Sequence, residues 1–329
     1  MNALGLILAC LFIFLCLLAL ELCYFRVARR LNIVDKPNDR SSHNAVILRG
    51  GGVVFLFGVW LHAALFGLAY PWFLLGVTVA AAMSFADDVS SLSDAARLVA
   101  QIVAMLLTFH QIGILTVEGW WVVVIALIVS VGICNAYNFM DGINGMTGAY
   151  SLAVIAPLIY LNGKIGFIDQ NFLIVIALSV VVFCLFNFRK RAKCFAGDVG
   201  AVTMAFIALL ALGKLIEATG DLSYIGLLAV YGVDSVLTIC HRIMLRENLG
   251  QAHRKHAYQL MANELGLPHL VVSSLYAVLQ FGVSCGLIFL SVDHWLYLTV
   301  VLLALGLAYI AFMRRYYHLH AEYLARTGK

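Results

Sequence analysis

Long apolar runs alternate with short polar segments along the whole chain. A helix needs about 20 apolar residues to cross the hydrocarbon core of a bilayer. Runs of roughly this length predict eleven spans, at residues 3–25, 51–70, 71–86, 97–116, 120–139, 147–162, 171–188, 199–218, 222–241, 269–290 and 294–313. The pattern therefore predicts an all-α polytopic membrane protein with about 11 transmembrane helices.

The composition indicates the same class of protein. Hydrophobic residues make up 63% of the chain and charged residues 12%, whereas a soluble domain carries about 25% charged residues. No linker and no fixed-period repeat divides the sequence, so we predict a single integral-membrane domain over residues 1–329. The first apolar run is too long for a signal-peptide core and lacks a cleavage pattern after it, which indicates a membrane span.

The basic residues are distributed unevenly between the two sets of loops. Of the 21 Lys and Arg residues, all but Lys164 and Lys214 fall on one side of the predicted spans. The positive-inside rule places that side in the cytoplasm, with the N-terminus outside and the C-terminus cytoplasmic. The cytoplasmic loops are also longer and richer in polar chemistry, so we expect an active site on the cytoplasmic face. The net charge of +4 then reflects topology, and no nucleic-acid partner is expected.

Carboxylates stand at the edges of several apolar runs. Asp87 and Asp88 end the third run in SFADDVSSL, where two adjacent negative charges repel each other and oppose the helix dipole. The pair is either a helix end that meets water or a base or metal-facing group. Asp234 lies inside the ninth run, where a buried charge needs a cationic partner. The sequence leaves support and catalysis open as its role.

A polar stretch follows the fifth run, with the sequence NAYNFMDGINGMTG. Asn135, Asn138 and Asp141 recur every three residues, which keeps them near one face of a helix. Gly142 then allows a tight turn next to Asn144, close to a ligand. An amide ladder that holds helices together is the alternative, since polar residues often serve that purpose in lipid.

A second glycine-rich motif, RKRAKCFAGDVGA, precedes the eighth run and contains Asp198. The amide oxygen of Asn138 and the carboxylate of Asp198 are hard oxygen ligands. They suit Mg²⁺, which keeps waters and shares its shell with substrate phosphates, and they do not suit zinc. We therefore predict a Mg²⁺ site at Asn138 and Asp198, with Mn²⁺ as the alternative ion.

Two cytoplasmic loops carry cationic side chains. His253, Arg254 and His256 form a compact set of donors that matches a phosphate or diphosphate. A metal pair of histidines, or histidines without any role in a site, are the alternatives. The first loop offers further cations to an anionic substrate or is an ordinary turn; its candidates are Lys36, Arg40, His43 and Arg49.

Six motifs in this order resemble those of a known enzyme family. They are DKPNDRSSH with RGGG, DDVSSL, NAYNFMDGING, AGDVGA, VDSVLTICHR and AHRKHAYQ, from about Asp35 to Gln259. The chain resembles the polytopic polyprenyl-phosphate N-acetylhexosamine-1-phosphate transferases, of the glycosyltransferase family 4 type. The RSSH and HRKHAYQ forms are more similar to the O-antigen and capsule-initiating branch than to the peptidoglycan branch, whose last motif carries more histidines.

The resemblance implies a reaction on one membrane face. A UDP-N-acetylhexosamine gives its sugar-1-phosphate to undecaprenyl phosphate and releases UMP, which initiates O-antigen or capsule synthesis at the bacterial cytoplasmic (inner) membrane. Membrane lipid and a second copy of the chain in a homodimer are the further partners to consider. The phospho-MurNAc-pentapeptide transferase of peptidoglycan synthesis is the alternative enzyme. A membrane transporter is the alternative from another class, although transporters place polar groups at the midplane of related halves, which this chain lacks.

The resemblance also implies roles for individual residues. Asn138 and Asp198 would hold Mg²⁺ on the diphosphate. The implied catalytic residues are Asp87 and Asp88 near the acceptor phosphate, one of them as a base, and Asp141 near the metal and the sugar. Substrate contacts are implied for Arg97, for Asn144 at the uracil, and for His253, Arg254 and His256 at the diphosphate and sugar. Ala196, Ala201 and a missing proline in the ninth run depart from the family pattern and affect the expected local geometry.

Overall fold

A computed structural model describes residues 3–35, 46–90, 92–116, 119–251 and 253–327, and in these ranges the chain is a bundle of helices. The helices are α1 Ala3–Arg30, α2 Val53–Phe66, α3 Pro71–Val89, α4 Asp94–Ile112, α5 Trp120–Met140, α6 Met146–Ile165, α7 Gln170–Asn187, α8 Gly197–Thr219, α9 Ala229–Met244, α10 Ala257–Asn263, α11 His269–Phe289 and α12 His294–Thr327. Two 3₁₀ segments, Ile114–Thr116 and Leu222–Leu228, precede α5 and α9. Strands β1 Val34–Asp35 and β2 Ile47–Leu48 form a small antiparallel pair before α2. The predicted all-α polytopic class is confirmed.

The predicted number of spans is corrected at α2. In the described part of the chain, 10 helical segments are long and apolar enough to cross a membrane, and Val53–Phe66 is a shorter apolar helix of 14 residues. At 1.5 Å per residue it spans about 21 Å, less than the roughly 30 Å of a hydrocarbon core. The prediction of a span over 51–70 was wrong in length because the backbone turns at Gly67, with a φ of 94°, although the apolar composition continues beyond it.

Helix α8 is the centre of the bundle. It is almost wholly buried and contacts α2, α3, α4, α5 and α6, whereas most of α1 and α12 is exposed and faces the lipid region. The backbones approach closely where α8 begins: a Cβ at Gly200 would lie 2.6 Å from the Cα of Gly52. Small residues permit this approach, as is common between membrane helices. The glycine run before α2 is therefore packed directly on the motif that contains Asp198.

Four of the five tryptophans mark the end of the bundle that lies opposite the acidic motifs. Trp72, Trp120, Trp121 and Trp295 stand at the starts of α3, α5 and α12 and have exposed side chains. Helices α3 and α5 carry Asp87–Asp88 and Asn138 in their last turns, so these aromatic residues lie at the far end. Such positions are typical of an aromatic belt at a membrane–water interface. Which compartment each end faces stays a prediction from the basic residues.

Candidate active site

A single large polar cavity opens at the end of the bundle where α3, α5 and α8 bring their acidic motifs together. Its volume is about 760 Å³. The predicted metal ligands Asn138 and Asp198 both line it. The other charged or polar residues of the wall are Asp35, Arg49, Ser84, Arg97, Gln101, Asn135, Asp141, Gln251, His253, His256, Tyr258 and Gln259. The structure therefore brings residues that are far apart in the sequence to one site.

Asp88 lies just behind this wall and joins α3 to the start of α8. Its side chain is fully buried and accepts hydrogen bonds from the backbone N–H groups of Asp198 and Val199, both at 3.2 Å. These N–H groups belong to the first turn of α8 and have no acceptor within the helix, and a negatively charged side chain is favoured at such a helix N-terminus. The Nε of Arg49 lies 2.6 Å from its Oδ1. Asp88 thus fixes the position of the first turn of α8, which contains Asp198.

Asp87 orients a cation toward the same cavity. One of its oxygens accepts the backbone N–H of Leu92 at 2.7 Å, and the other accepts Nη1 of Arg97 at 2.8 Å. The Arg97 Nη1 also lies 3.7 Å from Oδ2 of Asp198. Arg97 lines the cavity, whereas Asp87 stands beside it with little exposed surface.

Asp141 follows α5 and lines the cavity. Its oxygens accept hydrogen bonds from Oγ1 of Thr147 at 2.6 Å and from the backbone N–H of Gly197 at 3.1 Å. Burial raises the pKa of Asp141 to about 7, although both hydrogen bonds act in the opposite direction. A carboxyl group of this kind exchanges a proton most easily near neutral pH.

Arg49 is the first-loop cation that the structure places at the site. It bridges two carboxylates, with Nε 2.6 Å from Asp88 and Nη2 3.3 Å from Asp198. Burial lowers the pKa of Arg49, but the neighbouring carboxylates outweigh burial and raise the pKa above its ordinary value. The Tyr24 hydroxyl donates to the Arg49 carbonyl at 2.6 Å and holds the loop. The remaining candidates of that loop lie outside the described residues; they are Lys36, Arg40 and His43.

The donors around the cavity fit a magnesium ion better than a transition metal. Within the described ranges, no group of three or more His, Cys, Asp or Glu side chains is arranged as a complete metal site. Mg²⁺ does not require one, because it keeps waters and takes phosphate oxygens as ligands. Carboxyl groups outnumber guanidinium groups at or beside the cavity in the described part of the chain: Asp35, Asp87, Asp88, Asp141 and Asp198 against Arg49 and Arg97.

The histidines of the last motif form the opposite wall. Both His253 and His256 line the cavity, and their ring centroids lie 5.0 Å apart. The pKa of His253 is lowered to about 3, first by burial and then by the neighbouring His256, Arg242 and Lys255. His253 is therefore neutral at physiological pH, so one of its ring nitrogens donates a hydrogen bond and the other accepts one.

The structure does not bring Arg254 to this wall. Its Nη2 donates to Oε1 of Glu264 at 2.9 Å, and its guanidinium lies 4.3 Å from the ring centre of Tyr323. Glu264 also accepts Nδ1 of His320 at 2.8 Å. The guanidinium is thus directed toward α12, because the buried carboxylate that compensates its charge lies on that side.

Asn144 is also turned away from the cavity. Its side chain is buried and donates to the backbone carbonyls of Arg189 and Lys190, at 2.9 and 3.2 Å. The backbone carbonyl of Asn144 accepts a hydrogen bond from the hydroxyl of Ser273 at 2.6 Å. Asn144 therefore connects the turn after α5 to the basic loop after α7.

An apolar groove adjoins the polar cavity and was not predicted from the sequence. It has a volume of about 630 Å³ and is formed by α5, α9 and α12. Asn135 and Phe139 line both the groove and the polar cavity, so the two spaces are adjacent there. At Gly132 and Gly232 in its wall, an added Cβ would meet no heavy atom within 4 Å. The absence of side chains at these glycines was the only sequence signal for this groove.

Comparisons with known proteins agree with this geometry. The family model described as glycosyl transferase family 4 matches residues 70–214. A probable undecaprenyl-phosphate N-acetylglucosaminyl 1-phosphate transferase of Bacillus subtilis is 28% identical over 84% of this chain and 82% of its own length. The undecaprenyl-phosphate alpha-N-acetylglucosaminyl 1-phosphate transferase of Yersinia pestis is 24% identical over 79% of this chain and 78% of its own. The chain is therefore similar, over most of its length, to undecaprenyl-phosphate N-acetylglucosaminyl 1-phosphate transferases, and residues 70–214 match the glycosyl transferase family 4 model.

The similarity to transferases of the peptidoglycan branch is limited in extent. The phospho-N-acetylmuramoyl-pentapeptide-transferase of Thermotoga neapolitana is 35% identical, but over only 28% of this chain and 30% of its own length. The family match covers α3 to most of α8, which include Asp87, Asp88, Asn138 and Asp198. The apolar helices and these similarities together indicate a multi-pass membrane protein that resembles sugar-1-phosphate transferases.

Proposed function

We propose that this protein transfers N-acetylhexosamine-1-phosphate from a UDP-sugar to undecaprenyl phosphate and releases UMP. The product, an undecaprenyl-diphosphate-sugar, would initiate a cell-surface polysaccharide at the bacterial inner membrane. One observation carries the proposal: a polar cavity lined by carboxylates and cations lies next to an apolar groove, with Asn135 and Phe139 in the walls of both. Such a pair of spaces fits two substrates, one a soluble anion and the other a lipid with an anionic head.

The groove supports the lipid acceptor. Its wall is almost entirely apolar, and residues such as Ile128, Val236 and Leu302 are also exposed on the surface that faces lipid. A polyprenyl chain gains by burying its apolar surface there, at roughly 25 cal/mol per Å². Its phosphate would then reach the polar cavity past Asn135.

The cavity supports the nucleotide-sugar donor. Its volume lies within the roughly 300–1,000 Å³ that is typical of small-molecule sites. Arg49 and Arg97 present guanidinium groups, which bind phosphate oxygens well. Asn138 and Asp198 would hold Mg²⁺, which would offset the charge of the diphosphate and of the UMP leaving group.

The chemistry is a single displacement at phosphorus. An oxygen of the acceptor phosphate attacks the sugar-bearing phosphorus of the UDP-sugar, and a new P–O–P bond forms. The bond from that phosphorus to the UMP oxygen breaks, and UMP leaves with the electron pair. A phosphate monoester has its second pKa near 6, so most of the acceptor is already dianionic at neutral pH. A carboxylate is needed only for the fraction that still carries a proton, and Asp87, Asp88 and Asp141 are the candidates.

The decisive experiment is a substrate panel. Membranes that contain the protein are incubated with undecaprenyl phosphate and one radiolabelled UDP-N-acetylhexosamine at a time, with UDP-MurNAc-pentapeptide included. We expect label in the lipid extract and stoichiometric UMP for one or more N-acetylhexosamines, with loss of both products in EDTA and recovery in Mg²⁺. Label from UDP-MurNAc-pentapeptide alone would identify the peptidoglycan-type enzyme. Label that crosses the membrane without entering lipid would indicate a transporter instead.

A further inference from the structure

A neutral layer of three polar side chains, Ser84, Gln101 and Asn135, lies in the wall of the polar cavity below the charged groups. Ser84 of α3 precedes Asp88 by four residues. Gln101 of α4 follows Arg97 by four residues. At 1.5 Å per residue, each lies about 6 Å farther from the acidic end of the bundle, because α3 ends there and α4 begins there. The wall thus changes from charged to neutral groups within one helical turn.

Asn135 completes the neutral layer from α5. It precedes Asn138 by three residues, so it lies about 4.5 Å deeper, and it also lines the apolar groove. One turn deeper still, α5 contributes the apolar side chain of Val131 to the wall. The neutral layer therefore stands between the charged groups and an apolar part of the same cavity.

The side chains of the neutral layer have no partner within the described ranges. None of Ser84, Gln101 and Asn135 makes a hydrogen bond to another group there, although all three lie in helices long and apolar enough to cross a membrane. By contrast, Gln280 of α11 is paired at both ends, since it accepts the Tyr150 hydroxyl at 2.7 Å and donates to a backbone carbonyl at 3.2 Å. An unpaired polar group at membrane depth is costly unless it faces water or a ligand. The neutral layer is therefore available to a ligand.

The class of ligand follows from charge and from the neighbouring groove. Amide N–H and hydroxyl groups donate to an anionic oxygen without supplying a counter-charge. A lipid in the groove would bring its anionic head past Asn135, which lies in the walls of both spaces. A guanidinium binds a phosphate dianion more strongly than neutral donors do, and it would also make that phosphate a weaker nucleophile. Neutral donors hold the anion and leave it reactive.

We propose that Ser84, Gln101 and Asn135 form the site for the phosphate head of the lipid acceptor, an isoprenyl monophosphate whose tail lies in the apolar groove. The inference rests on the proposed function and adds to it a location for the acceptor phosphate. The attacking oxygen then comes from the membrane side of the cavity. The nucleotide-sugar occupies the charged part above it.

The first test measures binding of farnesyl phosphate, a short isoprenyl monophosphate, to the purified protein in nanodiscs by calorimetry, with empty nanodiscs subtracted and no nucleotide present. Gln101→Met and Asn135→Leu keep the size of the side chain and remove its donors. We expect each to weaken binding of farnesyl phosphate by about tenfold, as for a lost hydrogen bond to an anion. Farnesol, which has the same tail without a phosphate, should bind both variants no more weakly than wild type.

Two further variants separate the head of the lipid from its tail and from the helix. Gln111→Met makes the same substitution at the opposite end of α4, where Gln111 accepts the backbone N–H of Trp72 at 3.1 Å, and it should bind farnesyl phosphate like wild type. Gly232→Leu in the groove should weaken farnesol and farnesyl phosphate alike, because it narrows the space for the tail. Inorganic phosphate that binds as tightly as farnesyl phosphate would assign the neutral layer to a free anion and overturn the proposal.

The second test measures binding of UDP with Mg²⁺ to Gln101→Met and Asn135→Leu, which should stay within about twofold of wild type. Weaker binding of UDP with unchanged binding of farnesyl phosphate would assign the neutral layer to the nucleotide. Equal losses for both ligands would indicate a general disturbance of the cavity, and either result overturns the proposal. If Asn135→Leu does not fold, Gln101→Met and the smaller change Ser84→Ala still decide.

The two proposals can fail separately. A failed substrate panel would sink the proposed function but would leave the binding of farnesyl phosphate interpretable, since that measurement uses no nucleotide. An active panel together with unchanged farnesyl phosphate affinity in Gln101→Met and Asn135→Leu would sink this inference alone.

Discussion

The Nε of Arg49 lies 2.6 Å from Oδ1 of Asp88, and this contact connects the loop before α2 to the last turn of α3. The same guanidinium reaches Asp198 with its Nη2 at 3.3 Å. Arg49 therefore holds together the two motifs that carry the acidic groups of the site. Its side chain is 35% exposed, which also leaves it accessible to a bound anion.

We expect Arg49→Lys to lower turnover by about 10- to 100-fold, because a lysine cannot bridge two carboxylates with a planar fork. The measurement is UMP release at saturating concentrations of both substrates. Arg29→Lys changes an exposed arginine in the last turn of α1 and should leave turnover unchanged. Equal activity of Arg49→Lys and wild type would show that the bridge has no part in the reaction.

Asp198→Asn should abolish turnover and weaken the response to Mg²⁺. The carboxylate is the charged member of the predicted ligand pair, and an amide binds a divalent cation much less strongly. The check is a Mg²⁺ titration of UMP release, read alongside thermal unfolding to confirm that the variant is folded. Asp221→Asn removes a carboxylate that pairs with His294 at the other end of the bundle and serves as the control. Full activity of Asp198→Asn with an unaltered titration would remove the metal assignment.

Filling the apolar groove with a side chain should weaken the binding of the lipid substrate and leave the binding of the UDP-sugar unchanged. Gly232→Leu places a side chain where an added Cβ meets no atom within 4 Å, so the helix tolerates it while the groove becomes narrower. We expect the KM for undecaprenyl phosphate to rise by roughly tenfold or more, as for a lost contact of about 1.4 kcal/mol, with the KM for the UDP-sugar unchanged. Gly282→Leu on the exposed face of α11 is equally open and is the matched control. An increase in the donor KM instead would assign the groove to the nucleotide.

Glu264 pairs with Arg254 and His320, and from these contacts we predict a pH-dependent contribution to the stability of the fold. Burial raises the pKa of Glu264, but the hydrogen bonds and charges of His320 and Arg254 outweigh it and lower the pKa below its ordinary value. A lowered folded-state pKa gives stability that is present above the unfolded value, about 4.3, and is lost as the pH falls through the folded value. Glu264→Gln should therefore lower the free energy of unfolding by about 1–3 kcal/mol at pH 7.

The difference between Glu264→Gln and wild type should shrink as the pH falls below about 4. Thermal unfolding of the purified protein at pH 7 and at about pH 3, below the unfolded pKa of a glutamate, provides the measurement. Glu322→Gln on the exposed part of α12 is the control for a nearby carboxylate. A stability difference that is the same at both pH values would mean that the charge of Glu264 contributes nothing.

The fold was largely predictable because lipid imposes a simple rule on the sequence. Each crossing requires a long apolar helix, so the order and most bounds of the helices follow from the apolar runs. Helix α2 was the exception, since the backbone turns at Gly67 while the residues around it stay apolar. Composition alone does not distinguish a short helix with an apolar connection from a full span.

The sequence predicted most of the residues that lie near the site, but it did not predict where each side chain points. The acidic motifs converge on one cavity because each of them stands at a helix end on the same side of the bundle. Position in a motif did not reveal that Arg254 points to Glu264, or that Asn144 binds the carbonyl of Arg189. The apolar groove was hidden because its wall has the same composition as any surface that faces lipid. The partner of Asp234 required the tertiary structure, since His256 lies in a different segment.

The open side of the apolar groove determines how a lipid can arrive. Because the walls contributed by α5, α9 and α12 include residues that are exposed where lipid tails would lie, a prenyl chain can slide in sideways from the bilayer and need not pass through water. Its supply then depends on its mole fraction in the leaflet and on two-dimensional diffusion. The rate of such an enzyme would thus be set by membrane composition on one side and by the soluble nucleotide pool on the other.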